Sequence, residues 1–207
     1  MELRKVLAIG AHPDDLELGC GATLARLTAD GVHVRAMILT RGARGCEGDH
    51  DRSLETKTAL GLLGVHDIIQ CNFPDTQLHT ALNEIIHAIN VQVSDLCPER
   101  VYTMFREDRH QDHRAVHEAS VVACREVPQL LGYETPSSQP TFTPALWESV
   151  DEQYLAAKVA ALKAHHSQTH RRYMQERVVR AAAVFRGYQV NGEFCEAFIP
   201  YRLVFWN

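Results

Sequence analysis

The sequence predicts an α/β fold whose mostly parallel sheet is covered on both faces. Short apolar runs alternate with longer stretches of helical spacing, and each such stretch is long enough to cross back over a sheet. Size and composition agree. A chain of 207 residues, 45 % hydrophobic and 23 % charged, suits a single domain over 1–207 that buries enough surface to fold without staples.

Lys5 to Gly10 (KVLAIG) is a continuous apolar run closed by glycine, the pattern of a strand buried on both faces. Leu16 to Asp30 spaces Leu16, Leu24 and Leu27 as a helix does, and Gly31 stops it. Val32 to Thr40 reads as the second strand, Arg41 to Asp51 as a glycine-rich loop, and Arg52 to Leu63 as a helix ended by Gly64. Asp67 to Cys71 is the third strand, Thr80 to Leu96 an amphipathic helix stopped by Pro98, and Arg100 to Phe105 the fourth strand. His113 to Glu126 is helical. Residues 133–147, rich in proline, serine and threonine, read as a loop or lid, and Asp151 to Met174 as a helix. A turn at Val190 to Glu193 leads into a last strand from Phe194 to Phe205.

The formal charge of −5 leaves no basic excess to neutralise phosphates, so no nucleic-acid partner is expected. No apolar run approaches the ~20 residues that cross a bilayer, and Met1 leads into a strand rather than a signal peptide. A cytoplasmic protein without a membrane partner is the expectation, and a homo-oligomer stays open. The six cysteines are scattered without a C-x-x-C pair and read mostly as reduced core thiols. Of twelve histidines, His33, His66, His79, His87 and His170 stand alone and read as solvated or satisfied side chains.

Clusters carry the chemistry. Ala11-His12-Pro13-Asp14-Asp15 sits where the first strand gives way to the first helix, at the edge where open α/β sheets bind ligands. Pro13 keeps His12 out of the helical region and starts the helix, placing Asp14 and Asp15 in its first turn. Alone, the acid pair reads as ordinary helix-start carboxylates; a histidine three residues before Asp15 turns the reading toward a ligand set. The second cluster, His110-Gln111-Asp112-His113, lies at the end of the fourth strand, which a parallel sheet brings to the same edge. His117, at i+4 from His113, lacks the helical glutamate of a metalloprotease and reads as packing or support. Asp112 reads as a helix N-cap, as a carboxylate that fixes a ligand histidine's ring, or as both.

His12, Asp15 and His113 together form a two-histidine, one-carboxylate shell with room for water, the pattern of a catalytic zinc site. Such a metal brings the pKa of its water toward ~7 and polarises a carbonyl. Asp14 is then free to take the water's proton, and His110 is placed to stabilise an oxyanion as an imidazolium.

These motifs, in their order and spacing, resemble the PIG-L/LmbE-like deacetylases, zinc enzymes that remove acetyl groups from N-acetylglucosaminyl conjugates. Ala11 to Gly19 matches the family's A-H-P-D-D signature, and His110 to His113 its H-x-D-H, with Gln111 where proline is frequent. Weaker likeness extends through Thr40-Arg41-Gly42, Arg52 to Glu55, Phe73-Pro74-Asp75, His165-His166-Ser167-Gln168, Arg186-Gly187 and Glu196-Ala197-Phe198, so it covers nearly the whole chain.

The resemblance implies zinc on His12, Asp15 and His113, Asp14 as general base and His110 at the oxyanion. Arg52 is similar to the family's active-site arginine; a surface arginine opening a helix is the other reading. His165 reads as structural.

The implied protein is a Rossmann-like, three-layer hydrolase with its site at the C-terminal edge of the strands. It would release acetate and a free amine from a small-molecule N-acetylated amino sugar, His110 or Asp14 supplying the leaving nitrogen's proton. Loops 41–51 and 133–147 would set specificity. The nitrogen and oxygen donors would also accept Fe(II), Co(II) or Mn(II). A facial-triad Fe(II) oxygenase has the same ligand types but usually sits in an all-β barrel. A dinucleotide binder would need G-x-G-x-x-G after the first strand. A metal- or sugar-binding module would keep the shell without turnover.

Overall fold

The computed structural model describes residues 3–45 and 50–205. Seven strands, β1 (Lys5–Gly10), β2 (His33–Ile38), β3 (Asp67–Gln70), β4 (Arg100–Met104), β5 (Gln129–Tyr133), β6 (Leu146–Ser149) and β7 (Cys195–Leu203), form one sheet. Their order is β3-β2-β1-β4-β5-β7-β6; the first five are parallel, and β7 is antiparallel to both its neighbours. Six helices complete the fold: α1 (Asp15–Ala29), α2 (Ser53–Leu62), α3 (Leu82–Leu96), α4 (Gln111–Ala123), α5 (Glu152–Ala164) and α6 (Glu176–Tyr188). Helices α1 and α2 both pack against α5, whereas α3 packs with α4, so the sheet is the middle of three layers. This is the Rossmann-like architecture the sequence predicts. Val6 to Ile9 of β1 are fully buried, which is why that strand reads as a run rather than an alternation.

Three expectations fail in the C-terminal third. Residues 133–147 are not one loop: Tyr133 ends β5, and Leu146 and Trp147 begin β6. β5 is only QLLGY, too short to show a period. The helix expected to reach Met174 stops at Ala164 and gives way to 3-10 turns at His166–Gln168 and Arg172–Met174. α6 has no counterpart in the sequence reading. It buries Val179, Ala183 and Gly187 but leaves Val184, Phe185 and Tyr188 exposed, so its apolar residues form no clean stripe.

Helix α1 is broken at Cys20, whose φ of −143° is not helical. The break frees backbone groups that distant side chains satisfy. Glu196 of β7 accepts the N–H groups of Ala22 (3.1 Å) and Thr23 (2.7 Å), and Lys158 of α5 donates to the Leu18 carbonyl at 2.8 Å. Lys158 and Glu196 pair with each other at 2.6 Å. Just before the break, Gly19 passes so close to Tyr133 that a Cβ would stand 2.0 Å from its ring. Among the described residues no helix is long and apolar enough to cross a membrane. Cys20, Cys71, Cys97, Cys124 and Cys195 are free thiols; Cys46 lies outside the described residues.

Candidate metal centre

Strand order reverses between β1 and β4: the chain runs outward through β2 and β3 on one side and through β5 on the other. The crevice at the carboxyl ends of these two strands is the binding position of doubly wound sheets. β1 delivers His12, Asp14 and Asp15 to it, and β4 delivers Asp108, His110, Asp112 and His113. His12, Asp14, Asp15, Arg52, His110 and His113 line one cavity of about 340 Å³. Gly42 and Gly45 from one loop, Thr135 to Ser137 from another and Gln168, Arg171 and Tyr173 from a third also line it; residues 46–49 of the first loop lie outside the described set.

One carboxylate spans two imidazoles. Asp15 Oδ2 lies 3.5 Å from His12 Nδ1, and Asp15 Oδ1 lies 3.3 Å from His113 Nε2. The outer nitrogen of each ring faces a different carboxylate. His12 Nε2 is 3.0 Å from Asp112 and 3.3 Å from Asp75, and His113 Nδ1 is 3.2 Å from Asp108. Asp112 is itself anchored by the N–H groups of Thr76 (2.7 Å) and Leu78 (3.1 Å). Asp108 is held by the His110 N–H (2.8 Å) and the hydroxyls of Thr135 (2.9 Å) and Ser137 (2.6 Å). Carboxylates behind the rings fix tautomer and orientation, as they do for metal-ligating histidines.

Among the described residues, two groups bring potential ligand atoms within 4.8 Å of one another: His12, His110 and His113; and His12, Asp75 and Asp112. Burial disfavours the imidazolium on His113, yet Asp15 and Asp108 raise its pKa to about 9. Burial likewise opposes a charge on His12, but Asp112, Asp15 and Asp75 hold its pKa well above the ordinary value. Asp15, against the push of burial, is drawn well below the carboxylate range by His113 and His12. The donor set thus concentrates carboxylates around two rings and calls for positive charge, and its nitrogen and oxygen atoms fit a divalent cation.

Asp14 stands apart from this cluster. It is the N-cap of α1 at φ 95°, a left-handed conformation that costs a non-glycine residue roughly 1–2 kcal/mol, and its side chain caps nothing. Arg52, the N-cap of α2 and only 3 % exposed, donates from Nη2 to Asp14 Oδ2 at 2.8 Å and from Nε to Glu55 at 3.2 Å. It is no surface residue. Burial raises the Asp14 pKa despite Arg52, and the neighbouring Asp15 pushes the same way.

Two expectations need correction. His110, not Asp112, caps α4: its Nδ1 accepts the Asp112 N–H at 3.2 Å. Asp112 turns instead to His12, and the carboxylate behind His113 is Asp108, which sequence reasoning missed although it lies in the same short loop after β4. With Nδ1 accepting, the His110 proton sits on Nε2. Burial, then the charges on His12 and His113, lower its pKa, a push against the expected imidazolium. His117 packs edge-on against Tyr201 at 4.7 Å and does not line the cavity. His165, wholly buried, reaches Arg52 and Glu17 rather than the cavity.

The family model described as PIG-L, GlcNAc-PI de-N-acetylase, matches residues 7–124, a span that holds the whole cluster from His12 to His113. The chain belongs to the PIG-L family. This PIG-L chain is 52 % identical over 167 residues to the uncharacterized deacetylase YaiS of Escherichia coli K12, a match covering 78 % of this chain and 90 % of that one. Its fold superposes on the conserved protein TT1542 of Thermus thermophilus with a TM-score of 0.84 and 27 % identity, over 100 % and 98 % of the two chains. A TM-score of 0.85 at 16 % identity, over 99 % of both chains, relates it to GalB, the 4-carboxy-2-hydroxymuconate hydratase of Pseudomonas putida KT2440. Fold alone therefore does not choose the reaction.

Proposed function

We propose that this PIG-L chain is a zinc-dependent N-deacetylase of the cytoplasm, one domain over 1–207, that hydrolyses the acetamide of a small GlcNAc-type conjugate. One observation carries the reading: Asp14, held at Oδ2 by Arg52, lines the same cavity as the His12–Asp15–His113 cluster without belonging to it. The family description, which names a GlcNAc substrate, supports the amino-sugar class.

His12, Asp15 and His113 would hold the metal; Fe(II), Co(II) and Mn(II) suit the same donors. When bound, the cation polarises the acetamide carbonyl and acidifies a water. Asp14 accepts that water's proton as it attacks the acetyl carbon, its Oδ2 kept in place by the Arg52 N–H at 2.8 Å. The carbonyl oxygen gains charge as the C–O bond forms, and the Nε2–H of His110 donates to it. Asp14 then returns the proton to the sugar nitrogen as the C–N bond breaks, releasing acetate and a free amine. Asp112 and Asp108 keep the two rings aimed throughout.

The test combines metal analysis by mass spectrometry with acetate release from N-acetylglucosamine, N,N'-diacetylchitobiose and a panel of acetylated glycosides. Bound metal and stoichiometric acetate are expected. A metal-loaded protein that releases no acetate from any of them, or that consumes dioxygen instead, overturns the reading.

A further inference from the structure

Behind the cavity wall lies a second set of buried groups that the reaction as described does not use. We infer that His165, aligned by Glu17, is a positioning residue for Asp14 and acts through Arg52. The inference rests on the proposed reading of Asp14 as the base.

Four side chains form a continuous line. Arg52 Nη2 carries two hydrogens: Asp14 Oδ2 accepts from it at 2.8 Å, and His165 Nδ1 lies 3.3 Å away on its other side. A guanidinium nitrogen can only donate, so the arrangement needs Nδ1 bare and the ring proton on Nε2. Nε2 lies 2.9 Å from Glu17 Oε1, which accepts that proton's hydrogen bond and fixes the tautomer. Glu17 and His165 are both 0 % exposed.

Two features set this line apart from ordinary packing. Asp14 sits at φ 95° without a cap, so α1 itself does little to hold it, and the guanidinium supplies the restraint. Glu17 Oε2, meanwhile, is buried with no hydrogen-bond partner among the described residues. A buried carboxylate with one oxygen unmet is an expensive way to fill space, which points to the work done by the other oxygen. The far side of Arg52 is secured as well. Glu55 accepts its Nε and also accepts the N–H (2.8 Å) and hydroxyl (2.7 Å) of Ser167, tying the His165 turn to α2.

The competing arrangement is an imidazolium. Burial lowers the His165 pKa, but Glu17 and Asp14 raise it past the ordinary value against the opposing charge of Arg52. A proton on Nδ1 would turn that nitrogen into a donor facing another donor and release Arg52 from His165.

Long-range ¹H–¹⁵N correlation spectra of the zinc-loaded full chain near neutral pH read this directly. A bare Nδ1 with protonated Nε2 on His165 is expected; a protonated Nδ1 overturns the inference. The kinetic arm measures acetate release from N,N'-diacetylchitobiose. His165→Leu removes the acceptor and should lower kcat ~10–100-fold, with KM and metal content unchanged, as a misplaced group does. His165→Asn sets an amide oxygen near the Nδ1 position and should recover most of that loss. Glu17→Leu removes the acceptor that holds the proton on Nε2, so it should free the ring proton to move to Nδ1 and lower kcat with KM constant, as a wrong tautomer does. Equal loss in both His165 variants, in step with melting temperature, marks His165 as packing alone and overturns the inference. If His165→Leu does not fold, His165→Asn and the wild-type spectrum decide. If the wild type releases no acetate, the deacetylase reading falls by itself, and the tautomer then supports or overturns the relay.

Discussion

The two helices that open onto the cavity begin in opposite ways. α4 starts as capping rules prescribe: His110 is extended, and its own ring accepts the Asp112 N–H. α1 starts against those rules, with Asp14 in a left-handed conformation and no cap from its side chain. α4 meets a first-turn N–H with one local hydrogen bond, whereas α1 draws on side chains from across the fold. Arg52, from the start of α2, donates to the Asp14 carboxylate, and around the break at Cys20 Lys158 donates to the Leu18 carbonyl while Glu196 accepts the Ala22 and Thr23 N–H groups. The capping side chain of α4 is its own, whereas the Asp14 side chain at the start of α1 is held from outside. The lesson is that the side chain kept free for chemistry is the one whose local structure gives up its own hydrogen bond, and the support must come from elsewhere.

The largest expected effect breaks the braced end. Asp14→Asn keeps size and Arg52 contact but cannot take a proton, so kcat should fall ~10²–10⁴-fold with metal content unchanged. Metal loss in that variant would mean Asp14 and Asp15 have exchanged roles. The matching change at the self-capped end is His110→Asn, which retains an acceptor for the helix while discarding the Nε2–H. A ~10²–10³-fold fall in kcat at an unchanged melting temperature is expected; loss of stability alone would reduce His110 to a cap. Asp112→Asn weakens the carboxylate behind His12 and should reduce metal affinity about 10–100-fold, read by competition with a chelator. Smallest for turnover is Glu196→Gln, whose single amide oxygen cannot serve both the Ala22 and Thr23 N–H groups and which removes the charge facing Lys158. It should cost about 3 kcal/mol in urea denaturation while leaving metal affinity alone.

Legibility in the sequence followed burial. β1 has Val6 to Ile9 fully buried, so its run of apolar letters could be read directly. His12, Asp15, His110 and His113 were legible because a strand end and a helix start fix each cluster within a few residues. Asp108 was not, nor was the contact of Asp75 with His12 although Phe73-Pro74-Asp75 stood out, since nothing local marks an acid as the one that will face a ring nitrogen from another loop. The link between His165 and Arg52 spans 113 positions and exists only once α5 docks on α2. α6 hid for a different reason: with Val184, Phe185 and Tyr188 exposed beside a buried Val179 and Ala183, its letters carry no single face.

The interruption at Cys20 leaves the turn bearing Asp14 and Asp15 on a short stub, moored at the Leu18 carbonyl by Lys158, which Glu196 of β7, near the opposite end of the polypeptide, holds in turn. Mild denaturation that peels that antiparallel edge from β5 would unmoor the stub while the five parallel strands still stand. Turnover should then vanish before the far-ultraviolet dichroism changes, and the protein would fail as a catalyst while it still counted as folded.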